Sequence, residues 1–385
     1  MATRCCSFEA HATAGSARRG TLTLPHGEVR TPAFMPVGTR GTVKGLTPDE
    51  VRGTGADMLL ANAYHLWVRP GHERVARLGG LHRMMGWDRP ILTDSGGYQA
   101  FSLRDKVKLK EEGLRFLSPL DRQWRVLTPE VCVEIQESLG VDVAMALDEC
   151  IPPDTDRAGV IRSTERTTRW LSRCLASRRH PDRTALFGIV QGGFHADLRS
   201  AHARTLVELD LDGYAIGGLS VGEEREVRNE MVRITTPHLP QDRPRYLMGV
   251  GYPVDIIEAV IEGVDLFDCV LPTRSGRFAQ LFTSRGRMNL RHSRYKDDPR
   301  PIDEDCGCYT CRSFSRAYLR HLHLAKEVLA PRLSTLHNLS FYQRFMDRVR
   351  DAVDQGPAAL TALREEAEGW QRPYEDDEGQ RGSDA

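Results

Sequence analysis

One segment of this sequence contains a carboxylate followed by two arginines, residue types that could take part in catalysis. Asp268 lies within an apolar run at 265–270 that predicts a strand, and Arg274 and Arg277 follow in a predicted loop. A carboxylate on a buried strand is unfavourable unless it is paired or used, and arginine is suited to binding phosphate. Asp268 is therefore a candidate nucleophile or base that faces an anionic polymer.

Other polar side chains come directly after apolar runs, namely Asp94, Asp148 and Gln191. For an isolated copy, the Asp-Ser-Gly-Gly sequence that starts at Asp94 predicts only a tight turn, and the pair Asp148 and Glu149 predicts only a polar surface. Convergence of all three groups at one end of a sheet would instead indicate an active site.

A flat ligand with a polar edge would suit these side chains. Asp148 and Gln191 supply the acceptors and donors that the edge of a purine requires. Tyr98 and Met248 offer walls for a planar heterocycle, although ordinary packing would also explain both. Glycine pairs that let backbone approach a ligand closely lie at 96–97, 192–193 and 217–218. We therefore expect a nucleobase as ligand.

Alternating strand and helix patterns indicate how these residues are positioned. Strands are predicted at 33–37, 57–61, 90–93, 141–147, 184–190, 213–216, 245–248 and 265–270. Helices are predicted between them at 47–53, 72–85, 129–139, 158–177, 196–209, 223–234 and 254–261. Eight such units predict an α/β fold, a (β/α)8 TIM barrel whose active site lies at the carboxyl ends of the strands.

The remaining segments are predicted to add to this barrel. An N-terminal antiparallel strand region precedes it, and a ribbon is inserted near 105–126. A further helix is predicted at 312–329. The predicted domains are an N-terminal extension at 1–19, the barrel at 20–273, a zinc-binding subdomain with closing helices at 274–350, and a C-terminal helix with an acidic, disordered tail at 351–385.

Three cysteines and a histidine form the strongest single motif, made of Cys306, Cys308, Cys311 and His337. Three thiolates and one imidazole complete a tetrahedral Zn²⁺ shell and leave no position open to water, so they predict one structural zinc ion per subunit. The alternative is chance clustering of thiols beside a free helix histidine.

Composition limits the class of protein. The formal net charge is zero, from 53 Lys+Arg and 53 Asp+Glu, which argues against a generic nucleic-acid binder, although arginines crowd the segment 274–320. Nine cysteines, an odd number, favour reduced thiols over a disulfide framework. The chain has no apolar run long enough to span a bilayer and no secretory signal pattern at its start, so we expect a cytoplasmic protein.

Together the motifs resemble those of queuine tRNA-ribosyltransferase, also called tRNA-guanine transglycosylase. The resemblance covers about 20–350 and includes the zinc motif and the segments 93–99 (TDSGGYQ), 146–150 (ALDEC), 188–193 (GIVQGG), 217–223 (GGLSVGE), 246–251 (YLMGVG) and 268–274 (DCVLPTR). It implies exchange of the wobble guanine in tRNAs with a G-U-N anticodon for a 7-deazaguanine, without a nucleotide cofactor. Cys150 and Val221 resemble the bacterial pocket, which implies the aminomethyl base preQ1 as substrate and guanine as product.

The resemblance also implies roles for individual residues. Asp268 corresponds to the nucleophile at the ribose anomeric carbon and Asp94 to the acid/base that serves both bases, which suits double displacement through a covalent ribosyl-aspartate. The expected substrate-binding residues are Asp94, Ser95, Gly96, Gly97, Tyr98, Asp148, Gln191, Gly218, Leu219 and Met248. The expected RNA-binding residues are Gly249, Val250, Gly251, Tyr252, Pro253, Val254, Asp255, Thr273, Arg274, Ser275, Gly276 and Arg277.

Two departures from the family pattern are Ala63, where threonine is usual, and Phe278, where asparagine is more common. Two alternatives come from other classes. A non-catalytic RNA-binding subunit would lack Asp94 and Asp268, and a zinc hydrolase would need an open metal site at the strand ends. Members of the family commonly form homodimers, and the zinc-binding subdomain could build that interface.

Overall fold

The computed structural model describes residues 4–97, 107–118, 120 and 122–374. Tyr98 and the acidic tail at 375–385 therefore lie outside the described residues. In chain order the strands are β1 (Ser7–Ala14), β2 (Ala17–Leu24), β3 (Gly27–Thr31), β4 (Ala33–Met35), β5 (Leu59–Asn62), β6 (Ile91–Asp94), β7 (Val107–Lys110), β8 (Gly113–Leu117), β9 (Trp124–Leu127), β10 (Val143–Met145), β11 (Ala185–Val190), β12 (Gly213–Ile216), β13 (Arg245–Leu247), β14 (Leu266–Asp268), β15 (Gln280–Thr283) and β16 (Gly286–Asn289).

Eight parallel strands form the barrel, which confirms the predicted fold class. Their hydrogen-bonding order is β4-β14-β13-β12-β11-β10-β6-β5. The ring closes where Val37 pairs with Leu60 and the Gly38 N–H donates to the Leu60 carbonyl at 2.6 Å. Since all strands run the same way, their carboxyl ends meet at one mouth.

Alternation along the strands explains the near-continuous apolar runs. Met35 and Phe187 fill the barrel interior, whereas their neighbours Phe34 and Leu186 pack beneath the surrounding helices. Both faces of each strand are thus buried, as expected for a parallel sheet covered by helices.

The helices are α1 (Pro48–Gly53), α2 (Ala63–Val68), α3 (His72–Arg77), α4 (Gly80–Met85), α5 (Pro129–Leu139), α6 (Arg157–Ser177), α7 (Ala196–Val207), α8 (Arg225–Thr235), α9 (Pro253–Ile261), α10 (Leu271–Arg277), α11 (Tyr309–Ser313), α12 (Arg316–Leu324), α13 (Leu329–Gln355) and α14 (Pro357–Gly369), with 3₁₀ turns at Thr236–His238 and Ser293–Tyr295. In the described part of the chain, no helix is both long and apolar enough to cross a membrane.

Two helix predictions and one loop prediction need correction. The helix predicted at 72–85 is two helices, because Gly79 and Gly80 adopt φ of 91° and 90° and end α3 before α4 begins. The helix predicted at 312–329 is interrupted twice, between α11 and α12 at Phe314 and Ser315, and between α12 and α13, where Lys326 has φ of 59°. The predicted loop that carries Arg274 and Arg277 is helix α10, with a proline in its first turn.

The antiparallel sheet β1-β2-β3 covers the end of the barrel opposite the mouth. Arg18 of β2 pairs with Asp265, which directly precedes β14. His26, in the turn after β2, donates from its backbone N–H to Asp142 Oδ1 at 2.9 Å, and Asp142 precedes β10. These buried carboxylates therefore join the sheet to the barrel, far from the strand carboxyl ends.

Helix α13 closes the barrel on the side of α10. Gly276 lies against its backbone, and a Cβ added there would lie 2.8 Å from Thr335 N and 2.9 Å from Ser334 O. Only glycine permits this approach of two helices. The small subdomain formed by β15, β16, α11 and α12 packs beside the same helix, and its core includes Leu281, Met288 and Leu319.

Candidate active site

A cavity of about 320 Å³ opens at the carboxyl ends of the barrel strands. It brings together side chains from both halves of the chain, as the strand-end argument predicts. Its lining residues are Val37, Thr39, Leu60, Asn62, Asp94, Ser95, Gly96, Asp148, Cys150, Gly217, Gly218, Leu219, Ser220, Val221, Tyr246, Met248, Gly249, Asp268, Cys269 and Val270. The candidate catalytic residues Asp94 and Asp268 thus share one cavity.

Asp94 is the last residue of β6 and is held by the neighbouring strand. The Asn62 side chain donates through Nδ2 to Asp94 Oδ2 at 2.5 Å, while Asn62 Oδ1 accepts the His65 N–H and begins α2. Burial raises the pKa of Asp94 to about 8, and the negative charge of Asp268 adds to the shift, while the Asn62 hydrogen bond opposes it. The raised pKa favours the protonated form of Asp94 at neutral pH.

Asp268 is the last residue of β14 and receives two hydrogen bonds on one oxygen. The Tyr246 hydroxyl donates to Oδ1 at 2.6 Å, and the Gly249 backbone N–H donates to it at 2.8 Å. Burial raises the pKa of Asp268, and both hydrogen bonds lower it because they stabilise the charged form. Within the described residues, both hydrogen bonds to this carboxylate end on Oδ1, so Oδ2 is available to a ligand.

Asp148 and Gln191 form a polar pair beneath the cavity. Gln191 Nε2 donates to Asp148 Oδ2 at 2.7 Å, and the Ser95 hydroxyl lies 3.5 Å from Asp148 Oδ1. Burial raises the pKa of Asp148 to about 6, opposed first by the Gln191 hydrogen bond. Gln191 Oε1 is buried and has no hydrogen-bond partner among the described residues. An acceptor of this kind calls for a donor from a bound molecule.

Glycines allow these polar groups to reach the cavity. A Cβ added at Gly218, where φ is 64°, would lie 2.3 Å from Gln191 Oε1. A Cβ at Gly97 would lie 2.4 Å from Asp148 Oδ1. Both positions therefore exclude larger residues by direct contact with the polar pair.

Met248 and the segment after β12 complete the walls. Met248, Leu219 and Val221 line the cavity, as does Cys150 on the segment that follows β10. Glu223 accepts backbone hydrogen bonds from Ser220 at 2.5 Å and Val221 at 2.9 Å, so its carboxylate fixes this loop.

Two residues of α7, Arg199 and His202, support the site and were not predicted from the sequence. Arg199 is fully buried and donates to the carbonyls of Gly193 and Gly217 at 2.7 and 2.9 Å. Burial lowers its pKa to about 10. His202 Nδ1 accepts the Gln191 backbone N–H at 2.8 Å. Their only sequence signal is a polar pair, spaced three residues apart, on the apolar face of a helix.

The expected RNA-binding residues divide into accessible and buried groups. Arg274 is exposed and Arg277 is half-buried, and neither side chain has a hydrogen-bond or ion-pair partner in the described part of the chain. Asp255 is buried and pairs with Arg228 at 2.8 Å and Arg225 at 3.4 Å.

Other expected RNA-binding residues have buried side chains that belong to the packing of α9 and α10. They are Val250, Pro253, Val254, Thr273 and Ser275. Of the remaining four, Gly249 is exposed, Tyr252 is half-buried, and Gly251 and Gly276 are buried. The buried side chains are not accessible to RNA, so these residues could contribute to RNA binding only through their backbone.

The cysteine and histidine side chains form a metal-binding cluster, as predicted. Nδ1 of His337 lies 3.7, 3.7 and 3.2 Å from the sulfur atoms of Cys306, Cys308 and Cys311. A tetrahedron with zinc at its centre has edges of roughly 3.5–3.8 Å, which fits these distances. His337 Nε2 lies 2.8 Å from the Phe282 carbonyl, and donation to it leaves Nδ1 free for a metal ion.

A family model described as queuine tRNA-ribosyltransferase matches residues 13–368. The chain belongs to this family. Relatives described by the same name include those of Caldanaerobacter subterraneus subsp. tengcongensis, 54% identical over 339 residues (88% of this chain, 90% of the relative), and Solidesulfovibrio magneticus, 52% identical over 354 residues (92% and 95%).

The queuine tRNA-ribosyltransferase of Methylobacillus flagellatus is 53% identical over 343 residues, which cover 89% of this chain and 92% of the relative. These matches confirm the family resemblance that the motifs indicate. The protein is therefore a tRNA-guanine ribosyltransferase, a transferase of tRNA modification in queuosine biosynthesis.

Proposed function

We propose that the protein replaces the wobble guanine of tRNAs with a G-U-N anticodon by preQ1, through a covalent intermediate on Asp268. The observation that carries this proposal is the pairing, in one cavity, of two carboxyl groups in different environments. Asp94 retains its proton because burial raises its pKa to about 8, whereas Asp268 receives two hydrogen bonds that favour its charged form. Two carboxyl groups whose environments favour different protonation states suit the roles of an acid and a nucleophile.

The proposed reaction is a double displacement. Asp268 Oδ2 attacks the anomeric carbon of the ribose, the bond from that carbon to guanine breaks, and Asp94 gives its proton to the departing base. The incoming base then returns a proton to Asp94 and attacks the same carbon, and the bond to Asp268 breaks. Two inversions retain the configuration at the ribose, and the second requires water to be kept out.

Base recognition is proposed for the polar pair and the glycine loop. Asp148 and the unpartnered Gln191 Oε1 would accept hydrogen bonds from the N–H groups on the purine-like edge. Backbone groups of Gly218 and Leu219 would supply the remaining hydrogen bonds to the base. Arg199 and Glu223 hold the cavity wall that carries these two residues in place. Met248 would cover one face of the base, and Tyr98 is proposed for the other.

PreQ1 is the proposed incoming base because of the residues beside this loop. Its cationic aminomethyl group requires acceptors, and the Leu219 carbonyl, on a loop fixed by Glu223, is the proposed partner. Cys150 and Val221 line the same cavity and limit its size. A bulkier base such as queuine would meet the Val221 side chain.

The tRNA must present one base to the cavity, so the wobble guanosine is expected to leave its stack in the anticodon loop. Arg274 and Arg277 are proposed to bind phosphates beside it, because both are on α10, directly after Asp268, and lack a protein partner within the described residues. Since tRNA is the substrate, we place the reaction in the cytoplasm.

The cluster of Cys306, Cys308, Cys311 and His337 fits Zn²⁺. A zinc ion bound there would supply cross-links rather than chemistry, because the four protein ligands leave no open position. Through the His337 hydrogen bond to Phe282, the site connects β15 with α13. One structural zinc ion per subunit is therefore proposed.

A homodimer is proposed, formed through the exposed aromatic side chains of the zinc-binding subdomain. The Phe314 ring lies between those of Tyr309 and Tyr318, with centroids 5.7 and 5.5 Å away, and both tyrosines are exposed. A second copy is the proposed partner. Light scattering should report a dimer for the wild type and a monomer for Tyr318→Ala; an unchanged mass would reject this interface.

Exchange of radiolabelled guanine into unmodified tRNA with a G-U-N anticodon tests the proposed function. We expect incorporation that preQ1 displaces and queuine does not. A Val221→Gly variant should gain sensitivity to queuine while keeping exchange. If a folded, zinc-loaded protein incorporates no guanine, the proposal is rejected. If queuine competes with labelled guanine in the wild-type protein, the assignment of preQ1 as substrate is rejected.

A further inference from the structure

The sheet inserted after β6 has two different faces. Leu114, Phe116 and Leu127 are buried on the inner face, where the Phe116 ring packs against Tyr64 and Trp67 at centroid distances of 4.8 and 5.5 Å. The side chains on the outer face are exposed to solvent. This outer face, here called the ribbon face, consists of Lys108, Lys110, Arg115, Trp124 and Val126.

The ribbon face concentrates positive charge in a way that disfavours the folded state. Lys108 of β7 lies directly opposite Arg115 of β8, and like charges opposite each other across two strands repel. Within the described residues, neither side chain nor that of Lys110 has an ion-pair partner. The nearby Glu111 carboxylate pairs with Arg166 and Arg169 of α6. An arrangement of this kind is explained by an anionic partner.

An exposed tryptophan lies among these cations. Trp124 is 48% exposed, and the Arg115 guanidinium carbon lies 4.7 Å from the centre of its ring. Lys108 Nζ lies 6.0 Å from the same ring. Val126 beside it is 43% exposed, and Glu112 in the β7–β8 turn is the acidic residue at the rim. An aromatic ring flanked by cations is the combination that binds unpaired bases and phosphates.

The ribbon face is connected to the catalytic end of the barrel. The inserted sheet begins after Asp94, and its Phe116 packs on α2, whose first turn is capped by Asn62, the residue that binds Asp94. A tRNA with its wobble base in the cavity has its remaining anticodon arm outside the mouth.

We propose that the ribbon face binds the tRNA substrate outside the wobble nucleotide, with Lys108, Lys110 and Arg115 on backbone phosphates and Trp124 against an unpaired base. This inference rests on the proposed function, since it assumes that tRNA is the substrate. RNA fits better than a protein partner because the apolar part is limited to Trp124, Val126 and the half-buried Leu117, while the charge is all of one sign apart from the rim.

The first measurement compares tRNA affinity as a function of salt. The triple variant Lys108→Gln, Lys110→Gln, Arg115→Gln should bind unmodified tRNA at least 10-fold more weakly near physiological salt and reduce the slope of log Kd against log salt by about 2. The control removes three exposed cations from elsewhere on the barrel, Arg77→Gln, Arg183→Gln and Arg233→Gln. Equal affinities and slopes for the two triple variants would overturn the proposal.

Trp124→Ala and Trp124→Phe separate stacking from charge. Trp124→Ala should raise KM for tRNA severalfold without changing kcat for guanine exchange, and Trp124→Phe should restore most of the affinity. Unchanged KM in Trp124→Ala, or a change in subunit association without a change in tRNA binding, would overturn the proposal. Guanine exchange by the wild-type protein tests the proposed function separately. Failure of the proposed function can therefore be distinguished from failure of the ribbon-face proposal.

Discussion

Tyr246 donates its hydroxyl hydrogen to Asp268 Oδ1 at 2.6 Å, across two neighbouring barrel strands. The same oxygen accepts the Gly249 N–H, so one side of the carboxylate is fixed and the other faces the cavity. This arrangement orients Asp268 and favours its charged form, which the proposed nucleophile requires.

Tyr246→Phe should therefore slow guanine exchange while leaving the fold intact. Loss of one hydrogen bond to a charged group, worth roughly 1.5–3 kcal/mol, predicts a decrease in kcat of about 10-fold or more. The pKa of Asp268 should rise, so the acid limb of the kcat profile should move to higher pH. An unchanged profile would show that Tyr246 does not act on Asp268.

Exchange that depends on protonated Asp94 should decline as pH rises through about 8, because burial raises the pKa of Asp94 to about 8. The free energy of unfolding should also depend on the protonation of Asp94. Its unfolded pKa is about 3.9, so its contribution to stability is full below that pH and is lost as pH rises toward the folded pKa. Asp94→Asn removes this dependence.

Thermal unfolding at two pH values measures the effect on stability. Relative to the wild type, the midpoint of Asp94→Asn should be higher at pH ~9 than at pH ~6 by roughly 2–4 °C. The variant should also lose exchange at both values. An equal difference at both pH values would contradict the raised pKa of Asp94.

Gly218→Ala tests the close contact with Gln191. The added Cβ would lie 2.3 Å from Gln191 Oε1, so we expect at least a 100-fold loss of kcat/KM for the free base. Gly86→Ala is the matched control, since Gly86 also has positive φ, 74°, and a Cβ there meets nothing within 4 Å. Similar activity losses in both variants would assign the effect to backbone strain instead.

Cys308→Ala should lose zinc and lower the unfolding midpoint by several degrees, because the metal would join α11 and the segment before it to α13. Cys5→Ala, outside the cluster, should retain zinc and the wild-type midpoint. Metal analysis and calorimetry on the two variants give the comparison. A zinc-free Cys308→Ala with unchanged stability would reject a structural role.

The sequence predicts the barrel well because its strands are buried on both faces and its helices carry clear start signals. Helix α5 at Pro129–Leu139 and strand β12 at Gly213–Ile216 have the predicted bounds. The strand-end rule also places Asp94, Asp148 and Asp268 in one cavity. The cluster of three cysteines and one histidine was also predicted, from residue type and spacing alone.

Other features depend on contacts between distant segments. Helix α10 contains proline and glycine and looks like a loop, but Gly276 packs on α13 and stabilises it as a helix. Arg199 and His202 bind backbone atoms of loops that no local pattern connects to α7. Tertiary packing, rather than propensity, decides both cases.

The covalent intermediate is the central claim and can be observed directly. Wild-type protein mixed with unmodified tRNA in the absence of a free base, then denatured, should yield a protein–RNA adduct whose ester bond maps to Asp268 by mass spectrometry. Folded, zinc-loaded Asp268→Asn should yield none. An adduct that persists in this variant, or that maps to another carboxylate such as Asp94, would contradict the assignment of Asp268 as nucleophile.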